Sequence, residues 1–311
     1  MTKILVTGGA GYIGSIFVPK LLKQGFQVTV LDNFRYGQLS LAEHCFDNHL
    51  QILRGDIRDK LLMRSLLKDA DIVIPLAALV GAPLCLKDPY GAEQINKIAI
   101  IDMLEMMSNN QIIIMPTTNS AYGSGDSNNE CNETSPLKPL SLYARDKVEI
   151  EKRIMERGNS ISLRLATVFG MSPRMRLDLL VNDFTYRAFK DGYVVLFEGH
   201  FKRNYIHIKD VAKAFIHSIS NFSKMKNEIY NIGLSSANLS KLELCNLISK
   251  QIKNFIIKEA KFSVDPDQRN YIVSNKKIEL TGYLPEYSLD IGIKELIKGY
   301  QMISESNLRN V

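Results

Sequence analysis

The sequence predicts an α/β protein in which a doubly wound parallel sheet is covered by helices on both faces and is followed by a smaller C-terminal α/β lobe. Three observations carry this prediction. Short, nearly continuous apolar strands alternate with amphipathic helical stretches through the first half of the chain. A glycine-rich turn leads from the first strand into the first helix at residues 7–14. From about residue 171 the alternation becomes irregular, which indicates a second lobe.

The elements of the predicted sheet follow one another in chain order. Apolar runs predict strands at 4–6, 28–32, 51–53, 71–74, 112–115 and 160–163, and amphipathic stretches predict helices at 92–107 and 143–157. Beyond the alternating region we expect helices at 177–190, 208–220, 240–251 and 290–303, and short strands at 194–197 and 229–232. The predicted domains are 1–170 and 171–311, with a soft boundary because a later strand is expected to rejoin the sheet. Residues 123–139, rich in Ser, Asn, Asp and Pro, indicate a surface loop near the active site.

The composition is close to that of an ordinary soluble protein and argues against a nucleic-acid-binding, metal-binding or membrane protein. The 311 residues are 45% hydrophobic and 23% charged, with a net charge of +6. No cluster of Lys and Arg with interleaved aromatics occurs, which argues against nucleic-acid binding. The four cysteines form no CxxC pair and have no zinc-ligand spacing, which predicts reduced thiols and no metal site. We expect a cytoplasmic protein without a membrane partner, because neither a signal sequence nor an apolar run of about 18 residues is present.

The glycine-rich turn, Thr-Gly-Gly-Ala-Gly-Tyr-Ile-Gly, is typical of a dinucleotide-binding site. Gly8 permits the tight turn, Gly11 lets the backbone approach a pyrophosphate, and Gly14 lets the helix pack closely on the strand. The helix N-terminus offers unpaired N–H groups to the phosphates. The second strand ends in Asp32, 24 residues after Gly8, close to the spacing of a ribose-binding carboxylate. A carboxylate there repels a 2′-phosphate, so NAD is favoured over NADP, although the nearby Arg35 argues the other way.

A candidate reactive pair lies at the start of the predicted helix 143–157. Tyr143 and Lys147 are one helical turn apart and share a face. A phenol has an ordinary pKa near 10, so a tyrosine that acts as a base at neutral pH needs its pKa lowered by about 3 units. A neighbouring ammonium and an oxidised nicotinamide ring are natural sources of that shift.

The Tyr-x-x-x-Lys spacing alone is weak evidence for a reactive pair, because it recurs at Tyr186/Lys190 and Tyr205/Lys209. Only the first pair follows the fifth predicted strand and lies 25 residues after Thr118. A hydroxyl at the carboxyl end of a strand can hydrogen-bond a substrate oxygen. We therefore predict that Thr118 acts with the first pair and that the other two pairs have no catalytic role.

Together these residues resemble the extended short-chain dehydrogenase/reductase family, the nucleotide-sugar epimerases and dehydratases. The resemblance extends over essentially the whole chain. The motifs that carry it are 7–14, Asp32-Asn33, Gly55-Asp56-Ile57, Leu76-Ala77-Ala78, Asn96, Thr118 with Tyr122-Gly123, Tyr143/Lys147 and 203–208.

The resemblance implies a set of cofactor contacts. Asp32 would hold the adenosine ribose and Asp56-Ile57 the adenine. Ala77-Ala78 would line the nicotinamide side, and Lys147 would bind the nicotinamide ribose and lower the pKa of Tyr143. The residues implied to contact NAD are Gly8, Gly11, Tyr12, Ile13, Gly14, Asp32, Asn33, Asp56, Ile57, Leu76, Ala77, Ala78, Asn96, Tyr143 and Lys147.

Departures from the family pattern reduce the number of reactions that the protein is expected to catalyse. In the 4,6-dehydratases the catalytic Thr is followed by an Asp and a Glu that expel water from the sugar. Here those positions are Asn119 and Ser120, which cannot do that acid/base work, so dehydration is not expected. Cys85, near the predicted site, is interpreted as a packed thiol, and His207 as a structural histidine.

Substrate contacts are expected from both halves of the chain. Asn182 occupies the family position of an Asn that contacts the sugar diphosphate, and Arg203 and Arg269 match arginines that grip nucleotide phosphates. Arg174 and Arg176 are equally compatible with phosphate binding and with a solvent-facing role. The predicted substrate-binding residues are Val80, Gly81, Asn119, Ser120, Arg174, Arg176, Asn182, Arg203 and Arg269.

Segments 74–85 and 172–188 are similar to bacterial NAD-dependent dehydrogenases that oxidise C4 of GDP-D-glycero-α-D-manno-heptose during capsular polysaccharide synthesis. This resemblance implies tightly held NAD(H) and 2-oxoglutarate as a hydride acceptor. A nucleotide-sugar C4 epimerase needs the same Thr118, Tyr143 and Lys147, so that alternative stays open. A non-catalytic NAD-sensing protein is disfavoured because all three residues are present. The family also implies a homodimer through the two long helices predicted in the first half.

Overall fold

The computed structural model describes residues 1–124, 130–260 and 269–303, without the side chains of Ala82 and Pro83. Part of the loop expected at 123–139 and the segment just before Arg269 therefore lie outside the described residues. The strands are β1 (Lys3–Thr7), β2 (Gln27–Asp32), β3 (Leu50–Arg54), β4 (Ile72–Pro75), β5 (Ile112–Thr118), β6 (Glu130–Cys131), β7 (Ser160–Leu165), β8 (Thr167–Phe169), β9 (Tyr193–Phe197), β10 (Lys202–His207), β11 (Glu228–Ile232), β12 (Asn238–Ser240), β13 (Ile256–Ala260) and β14 (Ile272–Val273).

Helices connect most of these strands. They are α1 (Gly14–Lys23), α2 (Lys60–Leu67), α3 (Ala82–Lys87), α4 (Pro89–Glu93), α5 (Ala99–Met106), α6 (Leu142–Arg157), α7 (Leu180–Lys190), α8 (Ile208–Ser220), α9 (Phe222–Met225), α10 (Lys241–Ser249), α11 (Lys276–Glu279) and α12 (Leu289–Tyr300). Short turns of 3-10 helix lie at Ala42–His44 and Asn119–Tyr122, and a wide helical turn, Gln94–Ile98, joins α4 to α5. Within the described residues no helix combines the length and the apolar character needed to span a bilayer.

The central sheet confirms the predicted doubly wound architecture. Seven parallel strands lie in the order β11-β7-β5-β4-β1-β2-β3. The chain winds outward in both directions from the boundary between β1 and β4. In such sheets the crevice beyond the carboxyl ends of the strands at that boundary is where ligands bind. The glycine-rich turn leaves β1 at this crevice.

The sheet is covered on both faces, which explains why its strands are so uniformly apolar. On one face α1 and α8 pack together, with the rings of Phe17 and Phe215 centred 5.1 Å apart. On the other face α2, α5 and α6 contribute Met63, Met103 and Ile150. Every residue of β4 and β7 is buried.

The second lobe is built from short sheets and the helices α7, α10 and α12 around a separate apolar cluster. Strands β8, β10 and β12 form one small sheet, and β9 pairs with β13 in another. The chain returns to the large sheet through α8 and β11, so a later strand does rejoin it as expected. The apolar core around the large sheet therefore includes residues beyond 170. The division at residue 170 into a cofactor-binding and a substrate-binding domain stays a prediction.

Two predicted elements differ from the structure in instructive ways. The stretch 92–107 is divided among α4, the wide turn and α5 rather than forming one regular helix. The strand predicted at 112–115 continues to Thr118, because Thr117 and Thr118 pair with Arg164 and Leu165 of β7. β-branched threonines suit such a pleated, buried surface.

Candidate active site

The glycine-rich turn is shaped by close backbone contacts at Gly8. This residue has φ +69°, and a Cβ placed on it would lie 2.5 Å from the backbone nitrogen of Ala77. Its N–H donates to the carbonyl of Leu31 at 2.7 Å. Both the positive φ and the contact with the residues after β4 exclude a side chain. The turn is thus pressed into the crevice between β1 and β4.

The reason predicted for Gly14 needs correction. A Cβ on Gly14 would lie 2.3 Å from the carbonyl oxygen of Gly9, so the close approach at this residue is to the turn, while later residues of the helix pack on the strands. Gly9 is the residue that approaches the sheet, because its Cβ would lie 2.9 Å from both methyl groups of Val30. The sequence motif contains Gly9, but spacing alone did not indicate this function.

The turn presents free donors of the kind that bind phosphate. The N–H groups of Tyr12 and Ile13 donate to no acceptor among the described residues. They lie beside Gly11 and directly before α1, where the helix dipole also favours an anion. This geometry fits the pyrophosphate of a dinucleotide.

Asp32 closes the other side of the turn. Its Oδ2 accepts the N–H of Ala10 at 3.0 Å and its Oδ1 accepts the N–H of Phe34 at 2.8 Å. Burial raises the pKa of this carboxyl, opposed by the two backbone hydrogen bonds. Oδ1 also accepts the Gln38 side-chain amide at 3.4 Å, whereas Oδ2 retains a second lone pair, which fits a ribose hydroxyl of the kind that Asp32 is predicted to hold.

Three further residues predicted to contact the cofactor, Asn33, Asp56 and Ile57, lie just after β2 and β3. Asn33 is exposed and its Oδ1 accepts the N–H of Arg35 at 3.0 Å. Asp56 pairs with Arg58 at 2.7 Å, which lowers the pKa of Asp56. Ile57 is buried in the core beneath them.

Asn96 supports the loop after β4 from behind. Its side chain is fully buried, accepts the N–H of Leu79 and donates to the carbonyl of Leu79, both at 2.9 Å. The Cys85 thiol donates to the same carbonyl at 3.3 Å, as a packed thiol would. Asn96 thus holds the loop that contains Leu76, Ala77, Ala78, Val80 and Gly81, and its contact with the cofactor stays a prediction.

Thr118 ends β5 and begins the turn that follows. Its hydroxyl accepts the N–H of Ser120 at 3.1 Å and donates to the Ser120 hydroxyl at 2.9 Å. The Arg269 guanidinium donates to the same Ser120 oxygen. Asn119 is fully buried, and neither its amide nitrogen nor its oxygen has a partner among the described residues. A buried amide without partners is costly, so Asn119 remains available for a ligand.

Tyr143 and Lys147 lie in the first two turns of α6. Ser141 begins this helix by accepting the N–H of Ala144 at 3.2 Å. Tyr143 is partly buried against Leu79 and Cys85, and Lys147 is almost fully buried. The ammonium lies over the tyrosine ring, 5.9 Å from its centroid, rather than beside its hydroxyl.

The electrostatics of this pair differ from the sequence prediction. Burial raises the pKa of Tyr143 to about 12, and Arg176 and Arg269 oppose that rise. Lys147 is not among the charges that lower it. Burial also lowers the pKa of Lys147 to about 8, and its ammonium donates to no acceptor among the described residues. A Tyr143 base therefore needs more positive charge than the described residues supply.

A buried ion pair behind the site was missed by sequence analysis. The Glu151 carboxylate accepts hydrogen bonds from Nε of Arg164 at 3.0–3.1 Å. It also accepts one from the Thr117 hydroxyl at 3.0 Å and one from the Ser162 hydroxyl at 2.7 Å. Arg164 also donates to the Tyr122 hydroxyl at 2.9 Å. This network joins α6, β5, β7 and the turn after Thr118. The spacing of Tyr143, Lys147 and Glu151 along one helical face was the available signal.

The predicted substrate residues separate into two groups. Arg176 pairs with Asp178, and its charge acts on Tyr143. The charge of Arg269 also lowers the pKa of Tyr143. Arg174, in contrast, lies over the Tyr36 ring at 4.0 Å, on the Asp32 side of the cleft. Neighbouring positions in sequence thus face different parts of the site.

Asn182 and Arg203 are more enclosed than predicted. The fully buried Asn182 accepts the N–H of Gly170 at 3.0 Å and donates to Tyr12 and to the Arg176 carbonyl at 3.2 and 2.9 Å. Both of its amide hydrogens are used to position Tyr12 and the Arg176 carbonyl, and its contact with the sugar diphosphate stays a prediction. Arg203 is 2% exposed and lies over Tyr271.

The residues judged non-catalytic are structural. His207 is fully buried, 2.6 Å from a Glu295 oxygen, and its ring stacks on Tyr287. Tyr205 is fully buried in the second lobe, and Lys209 pairs with Glu295. Tyr186 packs edge-on against Tyr300.

The parallel sheet and glycine-rich turn define a Rossmann-type dinucleotide-binding protein. A model of the NAD dependent epimerase/dehydratase family matches residues 4–233. A putative UDP-glucose 4-epimerase from Methanocaldococcus jannaschii is 30% identical over 307 residues, covering 94% of this chain and 97% of that protein.

Solved structures agree with this fold. A UDP-glucose 4-epimerase from Thermotoga maritima, in complex with UDP-glucose, has a TM-score of 0.83 and 25% identity, covering 97% of this chain and 99% of that one. The Thermus thermophilus UDP-glucose 4-epimerase, in complex with NAD, has a TM-score of 0.82 and 25% identity, covering 96% and 99%. The chain belongs to the NAD dependent epimerase/dehydratase family, the extended short-chain dehydrogenases/reductases, and its cofactor is NAD.

Proposed function

We propose that the protein oxidises C4 of a nucleotide-linked sugar with NAD. The observation that carries this proposal is the common placement of three groups at the carboxyl edge of the sheet. The glycine-rich turn follows β1, Thr118 ends β5, and Tyr143 with Lys147 opens the helix that leads to β7. A dinucleotide and a sugar bound at this edge would meet between them.

The residues of the chain have distinct roles in this proposal. Tyr143 takes the proton from the C4 hydroxyl, and Thr118 orients that oxygen through its own hydroxyl. Lys147 holds the cofactor ribose. Bound NAD would supply the hydride acceptor for C4 and a positive charge that favours the tyrosinate. Arg176 and Arg269 attract the substrate diphosphate and favour the tyrosinate, because both charges already lower the pKa of Tyr143.

We further propose GDP-D-glycero-α-D-manno-heptose as the sugar nucleotide, in capsular polysaccharide synthesis, and 2-oxoglutarate as the compound that reoxidises the cofactor. The support is the similarity of segments 74–85 and 172–188 to dehydrogenases of that substrate. In the structure both segments border the site: the first includes the loop after β4, and the second includes Arg174 and Arg176. We also expect a cytoplasmic homodimer.

A C4 epimerase is the second candidate, and the relatives favour it. The 30% identical protein and both solved structures described above are named UDP-glucose 4-epimerases. An epimerase would use Thr118, Tyr143 and Lys147 for the same oxidation and then return the hydride to the opposite face of C4.

A substrate panel distinguishes these candidates. Purified protein is incubated with GDP-heptose and with GDP-, UDP-, CDP- and dTDP-hexoses, with and without 2-oxoglutarate. The products are reduced with borodeuteride, their deuterium content is measured by mass spectrometry, and their configuration at C4 is determined by NMR. Deuterium at C4 of GDP-heptose, increased by 2-oxoglutarate, supports the dehydrogenase. Inversion at C4 without deuterium supports the epimerase. No turnover of any sugar by NAD-loaded protein contradicts both.

A further inference from the structure

The position of Arg174 distinguishes it from the other candidate substrate arginines. Its guanidinium carbon lies 4.0 Å from the centroid of the Tyr36 ring, and the residue is 5% exposed. Its charge is among those that act on Asp32, the predicted ribose ligand. Arg174 therefore lies at the adenosine end of the cleft, although it belongs to the segment that enters the second lobe.

The segment that carries Arg174 is firmly attached to the glycine-rich turn. The Ser172 hydroxyl donates to the Tyr12 carbonyl at 2.8 Å and lies 2.8 Å from the Ser15 hydroxyl. The Tyr12 hydroxyl donates to the Gly170 carbonyl at 2.7 Å. These buried hydrogen bonds fix the backbone on both sides of Ser172, so the Arg174 side chain projects from a rigid support.

The loop that carries Tyr36 is attached mainly to itself and to the turn. Asp32 accepts the N–H of Phe34, the Tyr36 N–H donates to Gln38 at 3.2 Å, and the Ser40 hydroxyl donates to the Ala10 carbonyl at 2.6 Å. Much of this loop is exposed. The stack with Arg174 therefore joins an exposed loop of the first lobe to the rigid segment of the second.

We propose that Arg174 and Tyr36 form a clasp over the adenosine end of the NAD site, and that opening this clasp limits cofactor release. The proposal rests on NAD occupying the glycine-rich turn but not on the identity of the sugar. Guanidinium groups stack on aromatic faces through their planar cation, which a lysine ammonium does not reproduce. Arg174 is then a positioning residue for the cofactor, whereas Arg176 faces the substrate.

The test measures cofactor release directly. Protein loaded with NADH is mixed with a large excess of NAD, and the loss of bound-NADH fluorescence gives the dissociation rate. Tyr36→Leu and Arg174→Gln should each accelerate release about tenfold, the loss expected when a desolvated cation–π stack is removed. The double variant should be no faster than either single one, because the two side chains form one contact.

Matched variants separate the clasp from general damage. Arg35→Gln, on the same exposed loop, leaves the contact intact and should release NADH at the wild-type rate. Tyr36→Phe keeps the ring but loses the hydroxyl that hydrogen-bonds Arg174, so its release rate should fall between those of the wild type and Tyr36→Leu. If Arg35→Gln accelerates release as much as Tyr36→Leu, or if Tyr36→Phe accelerates it more than Tyr36→Leu does, the clasp is refuted. Unchanged release in Tyr36→Leu also refutes it, as does a raised KM for the sugar nucleotide in Arg174→Gln with unchanged NADH release. Failure of every sugar in the substrate panel would leave these release rates intact.

Discussion

The cofactor side and the substrate side of the cleft are built by different means. On the cofactor side, backbone contacts among Gly8, Gly9 and Gly14 and one carboxylate, Asp32, define the site. On the substrate side, the Ser120 hydroxyl accepts hydrogen bonds from both Thr118 and Arg269. Arg269 lies 149 positions after Ser120 in the sequence. The first side is thus a local structure, and the second depends on the complete fold.

The largest effect we expect is on the substrate side, where one substitution should lower the reaction rate and leave NAD binding unchanged. Tyr143→Phe should lower kcat by about 10²–10⁴-fold, the usual contribution of a positioned general base. Its NAD content, measured by absorbance after denaturation, should be unchanged. Tyr205→Phe is the control, because that buried hydroxyl has no partner among the described residues. Equal activity in the two variants would remove Tyr143 from the reaction.

The second prediction concerns the ion pair that supports the substrate side. Glu151→Gln should lower the free energy of unfolding by about 3–5 kcal/mol, because it leaves Arg164 buried and uncompensated. Glu149→Gln on the same helix should cost about 0–1 kcal/mol, since Glu149 is 40% exposed in its pair with Lys97. Urea unfolding measures both values. Similar costs would show that the buried network has no special importance.

The third prediction perturbs the cofactor side. Gly8→Ala should cost about 2–4 kcal/mol and reduce NAD content, because its Cβ would collide with Ala77 at 2.5 Å. Gly37→Ala has a similar φ of +61° and nothing within 4 Å, so only the backbone cost of about 1–2 kcal/mol applies. Unfolding curves with and without NAD compare the two. A larger loss in the Gly37 variant would contradict the steric argument.

The smallest expected effect tests the buried ammonium of Lys147 through pH. Its pKa falls from an ordinary 10.5 to about 8 in the folded protein. Between these values the unfolded chain binds more protons, so stability rises with pH. From pH 8 to 9.5 we expect a rise of about 1–2 kcal/mol that is absent in Lys147→Met. Lys152→Met, on an exposed part of α6, should retain it. The same slope in both variants would refute the assignment.

Sequence analysis succeeded where residues act within a short stretch of backbone. The turn with Gly8, the acid at Asp32 and the spacing of Tyr143 were visible because strand, turn and helix periodicity are local properties. The doubly wound parallel sheet was predicted from the alternation of apolar strands and helices, whereas its strand order came only from the structure. The residue-level functions of the site remain predictions, although the structure brings Thr118, Ser120 and Arg269 together.

Sequence analysis failed where a side chain's partner is distant. Arg174 and Arg176 are two positions apart, yet Tyr36 and Asp178 draw them to different parts of the cleft. The hydrogen bond from the Asn182 amide to Tyr12, 170 residues away in sequence, was likewise not predicted. Such choices depend on which groups the folded chain brings within hydrogen-bond distance, and no local pattern records them.

The return of β11 to the sheet has a consequence for synthesis of the protein. β7 is fully buried between β5 and β11, and β11 comes from residues 228–232. Until the ribosome has released that stretch, β7 is an open edge on the nascent chain, with unpaired backbone groups on the side that β11 later covers. Exposed edges of this kind invite pairing with other chains. The interval between translation of β7 and of β11 is therefore the period in which the newly made protein most needs a chaperone.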